Sequence, residues 1–125
     1  MTLSAIVLTR NSQDTLDACL SSLSFVDELL VVDDNSTDKT LTIAKRHHAK
    51  VISHPLIDFA TQRNFALKHV VCDWVLFVDS DESVPPALAK QITKAIQSTN
   101  IDGYYLKRQD VFLNKTLCHG ETSQV

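Results

Sequence analysis

The feature that most constrains the fold is a change of period that repeats along the chain. Short apolar runs rich in β-branched residues alternate with longer stretches at helical spacing. Leu3 to Thr9 (LSAIVLT) reads as a first strand, and Arg10-Asn11-Ser12 as a turn. From Gln13 to Leu23, the apolar residues Leu16, Cys19, Leu20 and Leu23 recur at helical spacing. Glu28 to Val32 (ELLVV) predicts a second strand, stopped by the polar run Asp33 to Asp38. Leu41 to His48 predicts a helix. Ser36 or Thr37 can cap it, and Asp38 falls in its first turn, where the helix dipole favours an acid. Lys50 to Ser53 is a third strand, Phe59 to Val70 a helix, and Trp74 to Val78 (WVLFV) a fourth strand. Pro85-Pro86 opens a further helix that runs to about Gln97, with proline at a tolerated first-turn position. Asp102-Gly103 then turns into a fifth strand, Tyr104 to Lys107, while the tail from Leu113 to Val125 has no clear period.

Strands buried on both faces read as continuous apolar runs, as Leu29 to Val32 and Trp74 to Val78 do. Strands joined by helix-length segments imply right-handed crossovers and a mainly parallel sheet. The expected fold class is therefore α/β, a Rossmann-like doubly wound domain. A length of 125 residues suits one such domain. A hydrophobic content of 44% with a net charge of −3 excludes disorder as the main state. Two glycines and three prolines exclude collagen-like and low-complexity readings. No apolar run approaches the roughly 18–20 residues of a membrane helix, and the N-terminus does not read as a signal peptide. Fifteen acids against twelve bases give no basic field, so no nucleic-acid partner is expected. The cysteines Cys19, Cys72 and Cys118 are odd in number and far apart, which fits buried, inert thiols in a reducing cytoplasm.

The unusual polar residues collect at the expected carboxyl ends of the strands, where open α/β sheets bind ligands. Thr9 and Asn11 follow strand one, Asp33 and Asp34 follow strand two, and Asp79, Ser80, Asp81 and Glu82 follow strand four. Carboxylates gathered on one edge repel one another unless a cation or hydrogen-bond donors compensate. A divalent metal with a phosphate ligand is one such compensator. In extended backbone, Asp79 and Asp81 would face the same side, about 6.6 Å apart along the strand. One could then ligate a metal of the magnesium type, which takes only one or two protein carboxylates, while the other works through water or a sugar hydroxyl. The alternative is plain turn chemistry before a helix. Asp33-Asp34 is similarly double-edged. An acid there can cap the next helix, or accept from a base N–H or a ribose hydroxyl. Arg63, within Gln62-Arg63-Asn64, is either a forked donor for a phosphate or base carbonyl, or a solvated helix-face cation.

The histidines are weaker signals. His47-His48 suits a helix C-terminus, His54 can edge the site, His69 lies on a helix face, and His119 is a candidate acceptor contact. No zinc-ligand spacing, dinucleotide or P-loop glycine motif, or nucleophile elbow occurs.

Taken together, LSAIVLTRNSQDTLDACLSSL, VDELLVVDDNSTDKT, FATQRNFAL and DWVLFVDSDESVPP resemble the N-terminal half of a family 2 glycosyltransferase with the GT-A fold. The resemblance covers roughly residues 2–98, and it looks closest to bacterial enzymes of the lipopolysaccharide core. KRQDVFLNKTLCHG is similar to a segment of those enzymes. The resemblance implies a role for each matched position. Thr9 and Asn11 would line the nucleotide pocket, Asp33 would hold the base, and Asp34 would support the loop. Arg63 would contact the base or diphosphate, Asp79 the ribose or donor sugar, and Asp81 the Mn²⁺ or Mg²⁺ that bridges the diphosphate. It implies an inverting transfer of a sugar from a nucleotide-diphosphate sugar donor, UDP-linked, to a saccharide or glycolipid acceptor. It also implies a cytoplasmic enzyme with peripheral membrane contact.

Residues 1–108 would form the nucleotide-sugar-binding domain, and 109–125 the start of an acceptor-side region. In the family, the general base and most of the acceptor site follow the D-x-D on a long further stretch, so no catalytic base is assigned. Glu121 is the last acid in the chain. Apolar surface left uncovered on that side would favour self-association into a homo-oligomer. Two other classes stand beside this reading. One is a catalytically silent nucleotide-binding module. The other is a haloacid-dehalogenase-type phosphohydrolase with Asp79 as nucleophile, which leaves VVDDNSTDKT unexplained.

Overall fold

The computed structural model of this chain describes residues 1–98, 100–103, 110–112 and 115–117. Four strands, β1 (Leu3–Thr9), β2 (Glu28–Asp33), β3 (Lys50–Ser53) and β4 (Trp74–Asp79), alternate with four helices. The helices are α1 (Leu16–Ser21), α2 (Thr40–Arg46), α3 (Phe59–Leu67) and α4 (Pro86–Ala95). All three strand pairings are parallel, in the order β3-β2-β1-β4. The chain steps outward from β1 to β3 and then returns to the other side of β1, so the topology switches direction between β1 and β4.

The two sides of β1 show the doubly wound packing. Leu3, Ala5 and Val7 face α1, α2 and α4 through Leu16, Leu20, Ile43, Ala44 and Ile92. Ile6, with Leu30 and Val32 of β2, faces α3 through Ala66 and Phe65. Apolar burial on both sides of β1 and β2 explains their unbroken hydrophobic runs.

Four local expectations need correction. β4 was expected to be buried on both faces, yet Phe77 is 36% exposed. Among the described residues β4 is an edge strand, so only its α4 side is fully packed. Helix α1 starts at Leu16 rather than near Gln13, because Ser12 and Gln13 spend their polar groups on the loop before α2. Neither Ser36 nor Thr37 caps α2. The helix begins at Thr40, whose N–H donates to Asp38, while Ser36 and Thr37 serve Asp33 and Asn11. Finally, a short antiparallel pair forms where no strand was expected, β5 (Asp110–Phe112) with β6 (Lys115–Leu117), the second of them inside the aperiodic tail. Three-residue strands are too short to show a period. The expected fifth strand, Tyr104 to Lys107, lies outside the described residues. Among the described residues, no helix is long and apolar enough to cross a membrane.

Candidate nucleotide-binding site

The carboxyl edge of the sheet is built from three loops, and hydrogen bonds join them. The β1–α1 loop meets the β2–α2 loop at Asn11 and Ser36. The Asn11 N–H donates to Ser36 Oγ at 2.8 Å, and Asn11 Oδ1 accepts the Thr37 N–H at 2.8 Å. Both turns need a left-handed residue, and asparagine supplies it at Asn11 (φ 46°) and Asn35 (φ 51°). Asparagine tolerates this region better than most residues because its short amide can bond locally. The β1–α1 loop also touches the turn after β4, where Ser12 Oγ lies 3.0 Å from Ser80 Oγ.

Asp33 lies at the centre of this arrangement and is only 1% exposed. Its Oδ1 accepts from Thr9 Oγ1 at 2.7 Å and from Ser36 Oγ at 2.6 Å, and its Oδ2 accepts the Ser36 N–H at 2.9 Å. Expected to hold a base, it is placed instead as the inner clamp between strand β1 and the β2–α2 loop. Asp34 is also buried. Its Oδ1 accepts the Leu56 N–H at 3.1 Å, and its Oδ2 meets Arg10 Nη1 at 3.3 Å. It thereby ties the β3–α3 loop to the β1–α1 loop. Thr9, like Asp33, is buried, so its hydroxyl faces the clamp.

Asp79 and Asp81 are both exposed, at the end of β4 and just beyond it. They do not share an extended segment as expected. The strand ends at Asp79, and the Glu82 N–H folds back onto the Asp79 carbonyl at 2.9 Å. Glu82 Oε1 in return accepts the Asp79 N–H at 2.9 Å. The acids therefore sit on a tight turn, a conformation that Asp and Ser favour. Beneath it, the Cys19 thiol lies 3.5 Å from the Asp79 carbonyl. Burial, and then the nearby charges of Glu82, Asp81 and Asp79, push that thiol up to about 12. Cys19 is buried, as expected of an inert thiol.

Arg63 projects from α3 toward the same edge. Its guanidinium carbon lies 5.9 Å from the ring centre of Phe59 and 5.9 Å from that of Phe77. Two aromatic faces hold the cation beside the end of β4. The preceding residue, Gln62, is buried and grips His54. Gln62 Nε2 donates to the His54 carbonyl at 2.8 Å, and Gln62 Oε1 meets His54 Nδ1 at 2.7 Å. The sequence places Ser80 after strand four and offers Ser36 as a helix cap, but it gives no sign that Ser12, Ser36, Ser80 and Gln62 tie the loops of this edge together. In the sequence they look like ordinary turn or helix-face residues, and only the packing shows what they hold.

The donor set bears on metal binding. Among the described residues, no three His, Cys, Asp or Glu side chains gather into a cage. The expected cluster of three carboxylates on this edge therefore does not form, since Asp33 and Asp34 are turned inward to their clamps. What remains is an exposed pair on one turn. That suits an ion such as Mg²⁺ or Mn²⁺, which takes one or two carboxylates and leaves its other positions to phosphate and water. His47, half-buried just past the end of α2, pairs with the exposed Asp17, and His119 lies outside the described residues. A groove of about 520 Å³ lies elsewhere. It opens between β4 and α4 at the amino end of the strand, beside Trp74, Leu88, Ile92 and Gly103.

Comparison with known proteins gives this geometry a family. The model of the family described as glycosyl transferase family 2 matches residues 4–123. An uncharacterized glycosyltransferase of Rickettsia felis is 37% identical over 103 residues, covering 82% of this chain and 36% of the relative. The chain thus spans about a third of the length of the curated relatives it matches. Among solved structures, Staphylococcus aureus TarS 1-349 in complex with UDP superposes with a TM-score of 0.63 at 34% identity. That match covers 78% of this chain and 32% of the TarS 1-349 chain. Glucosyl-3-phosphoglycerate synthase of Mycobacterium tuberculosis, in complex with Mn²⁺, UDP and glucosyl-3-phosphoglycerate, gives a TM-score of 0.56 at 28% identity. There the coverage is 66% of this chain and 35% of the synthase. The phosphohydrolase alternative is thereby set aside, and the sheet is that of the GT-A enzymes. With the family model matching nearly the whole chain, the protein belongs to glycosyl transferase family 2.

Proposed function

We propose that this chain binds a UDP-linked sugar across the carboxyl edge of its sheet and serves as the donor side of an inverting, metal-dependent glycosyltransferase. The observation that carries the proposal is the meeting of the Asp79–Glu82 turn, the Arg63 guanidinium and the Asn11–Ser36 loops beside the β1/β4 switch. Relatives solved with UDP, and with UDP and Mn²⁺, support the choice of ligand.

Asp81, with Asp79 beside it, would hold Mn²⁺ or Mg²⁺ against the diphosphate. When bound, the ion offsets the negative charge that grows on the departing nucleoside diphosphate. Arg63, held by its two phenyl rings, would supply a second positive charge to the same group. Asp33 would act through Thr9 and Ser36, fixing the loop that Asn11 shares. In the transfer, an acceptor hydroxyl attacks the anomeric carbon from the side opposite the leaving group. The bond to the diphosphate breaks with its electron pair on phosphate oxygen, and the acceptor proton passes to a base on the acceptor side of the enzyme.

The proposal extends to residues 1–108 as the donor unit and 109–125 as the start of the acceptor side. It also extends to a saccharide acceptor of the lipopolysaccharide core, in the cytoplasm at the membrane surface. The free thiols of Cys19 and Cys72 support the compartment.

The test is calorimetric titration with UDP, GDP, CDP and ADP, each with and without Mn²⁺. UDP binding that requires Mn²⁺ is the expected result. Absence of binding to all four in a folded sample overturns the proposal.

A further inference from the structure

The turn that carries the two exposed acids is held from within and from one neighbouring loop. Glu82 closes it from within, its N–H on the Asp79 carbonyl and its carboxylate on the Asp79 N–H. The neighbouring loop enters at Ser80, the residue between the two acids, whose hydroxyl lies 3.0 Å from that of Ser12. The two serines are 68 residues apart in sequence and meet because β4 lies beside β1 in the sheet. Ser12 is itself fixed. Its N–H donates to Thr40 Oγ1 at 2.8 Å, and its Oγ lies 3.3 Å from both the N–H and the carbonyl oxygen of Arg10.

Hydroxyl chemistry makes this contact durable. Each serine has one proton and two lone pairs. When Ser12 gives its proton to the Arg10 carbonyl, Ser80 donates to Ser12. When Ser12 gives its proton to Ser80, the roles reverse. The bond between the two hydroxyls survives either way. It also reaches far, because the β1–α1 loop is bonded onward to the β2–α2 loop through Asn11, Ser12 and Gln13. The Glu82 bonds shape the turn internally, whereas the Ser80 bond sets it relative to those loops. Asp81 follows Ser80 directly and is exposed, and among the described residues no hydrogen bond or ion pair holds its carboxylate. Its aim is therefore set by the backbone that Ser80 anchors.

We infer that Ser80 is a positioning residue for the proposed transfer: its bond to Ser12 aims Asp81 at the nucleotide rim and adds to the cooperation between metal and nucleotide. Linkage makes the effect reciprocal, so a bridge that helps Mn²⁺ strengthen UDP binding helps UDP strengthen Mn²⁺ binding by the same factor. This inference rests on the donor reading given above.

The test measures, by calorimetry at a fixed UDP concentration, the Mn²⁺ concentration that supports half of full UDP binding. It uses the full chain with Ser80→Ala, Ser12→Ala, the double alanine variant and Ser80→Thr, each shown to be folded by its thermal midpoint. Either single alanine is expected to raise the Mn²⁺ midpoint about fivefold, the scale of one lost hydrogen bond between neutral groups. The double variant should go no further than the singles, because one shared bond is lost only once. Ser80→Thr keeps a hydroxyl and should stay within about twofold of the parent. A merely structural role would lower the thermal midpoint and the fraction of competent chain while leaving the Mn²⁺ midpoint in place. An unmoved Mn²⁺ midpoint in Ser80→Ala overturns the inference, as do shifts that add in the double variant. Should either alanine variant not fold, the other decides on its own. A wild-type chain that binds no UDP overturns the donor reading and this inference with it, whereas binding that is alike in parent and variants overturns the inference alone.

Discussion

The thiol of Cys19 lies 3.5 Å from the carbonyl oxygen of Asp79, which places helix α1 directly under the turn that carries the two exposed acids. The contact makes Cys19 a reporter of that turn. Its thiol is pushed up to about 12 by burial and by the three carboxylates above it, against an ordinary value of 9.0. Between those values the folded thiol stays protonated while an unfolded one ionises. Iodoacetamide at pH 9.5, a condition inside that window, should therefore leave Cys19 unlabelled in the folded chain and label it after denaturation. Peptide mass spectrometry reads the outcome, and rapid labelling of Cys19 in the native protein would contradict it.

Asp81 is exposed on the same turn, so its removal should cost the fold little, within about 0.5 kcal/mol. Its effect should fall on the ligand. Asp81→Ala is expected to abolish the Mn²⁺-dependent part of UDP binding while leaving the thermal midpoint unchanged. Unaltered Mn²⁺ dependence in the variant would remove Asp81 from the metal's ligands.

Asp33 presents the opposite balance. Its carboxylate is buried and receives the Thr9 hydroxyl, the Ser36 hydroxyl and the Ser36 N–H. Asp33→Ala strands those donors, and the cost should be about 3 kcal/mol in urea unfolding. A variant as stable as the parent would mean that the clamp is not needed for the loop.

Arg63 combines charge, fork and aromatic contact. Arg63→Lys keeps only the charge, since an ammonium neither forks nor stacks as a guanidinium does. Both Arg63→Lys and Arg63→Ala should therefore weaken UDP by about tenfold or more, at nearly unchanged stability. Full affinity in Arg63→Lys would reduce the residue to a diffuse positive charge.

The architecture was legible because burial on two faces leaves a mark on sequence. Leu29 to Val32 has no polar alternation, and the helices recur at their own period between such runs. The edge position of β4 was not legible, since WVLFV reads the same whether its second face is covered or open. The placement of the candidate residues was legible, with Thr9, Asn11, Asp33, Asp34, Arg63, Asp79 and Asp81 at or near one edge of the sheet. Their division of labour was not. Asp33 and Asp81 are both acids after a strand, and only packing turns one inward to three donors and leaves the other in water. The Gln62–His54 pairing was likewise invisible, because helix-face and strand-end residues eight apart in sequence declare no mutual orientation.

The stitching of the β1–α1 loop to the β2–α2 loop has a consequence for ligand capture. Asn11 to Ser36, Ser12 to Thr40 and Gln13 to Asp38 form a row of crosslinks between segments about 25 residues apart. Such a row lets the two loops fluctuate only as one body. A nucleotide arriving there meets a rim that was rigidified during folding, and little motion is left to surrender. Ordering an interface side chain on binding commonly costs about 0.5–1.5 kcal/mol, so the crosslinked rim acts as affinity stored in advance. By the same reasoning, lengthening either loop by a single residue would shear the row and release that motion in both loops together.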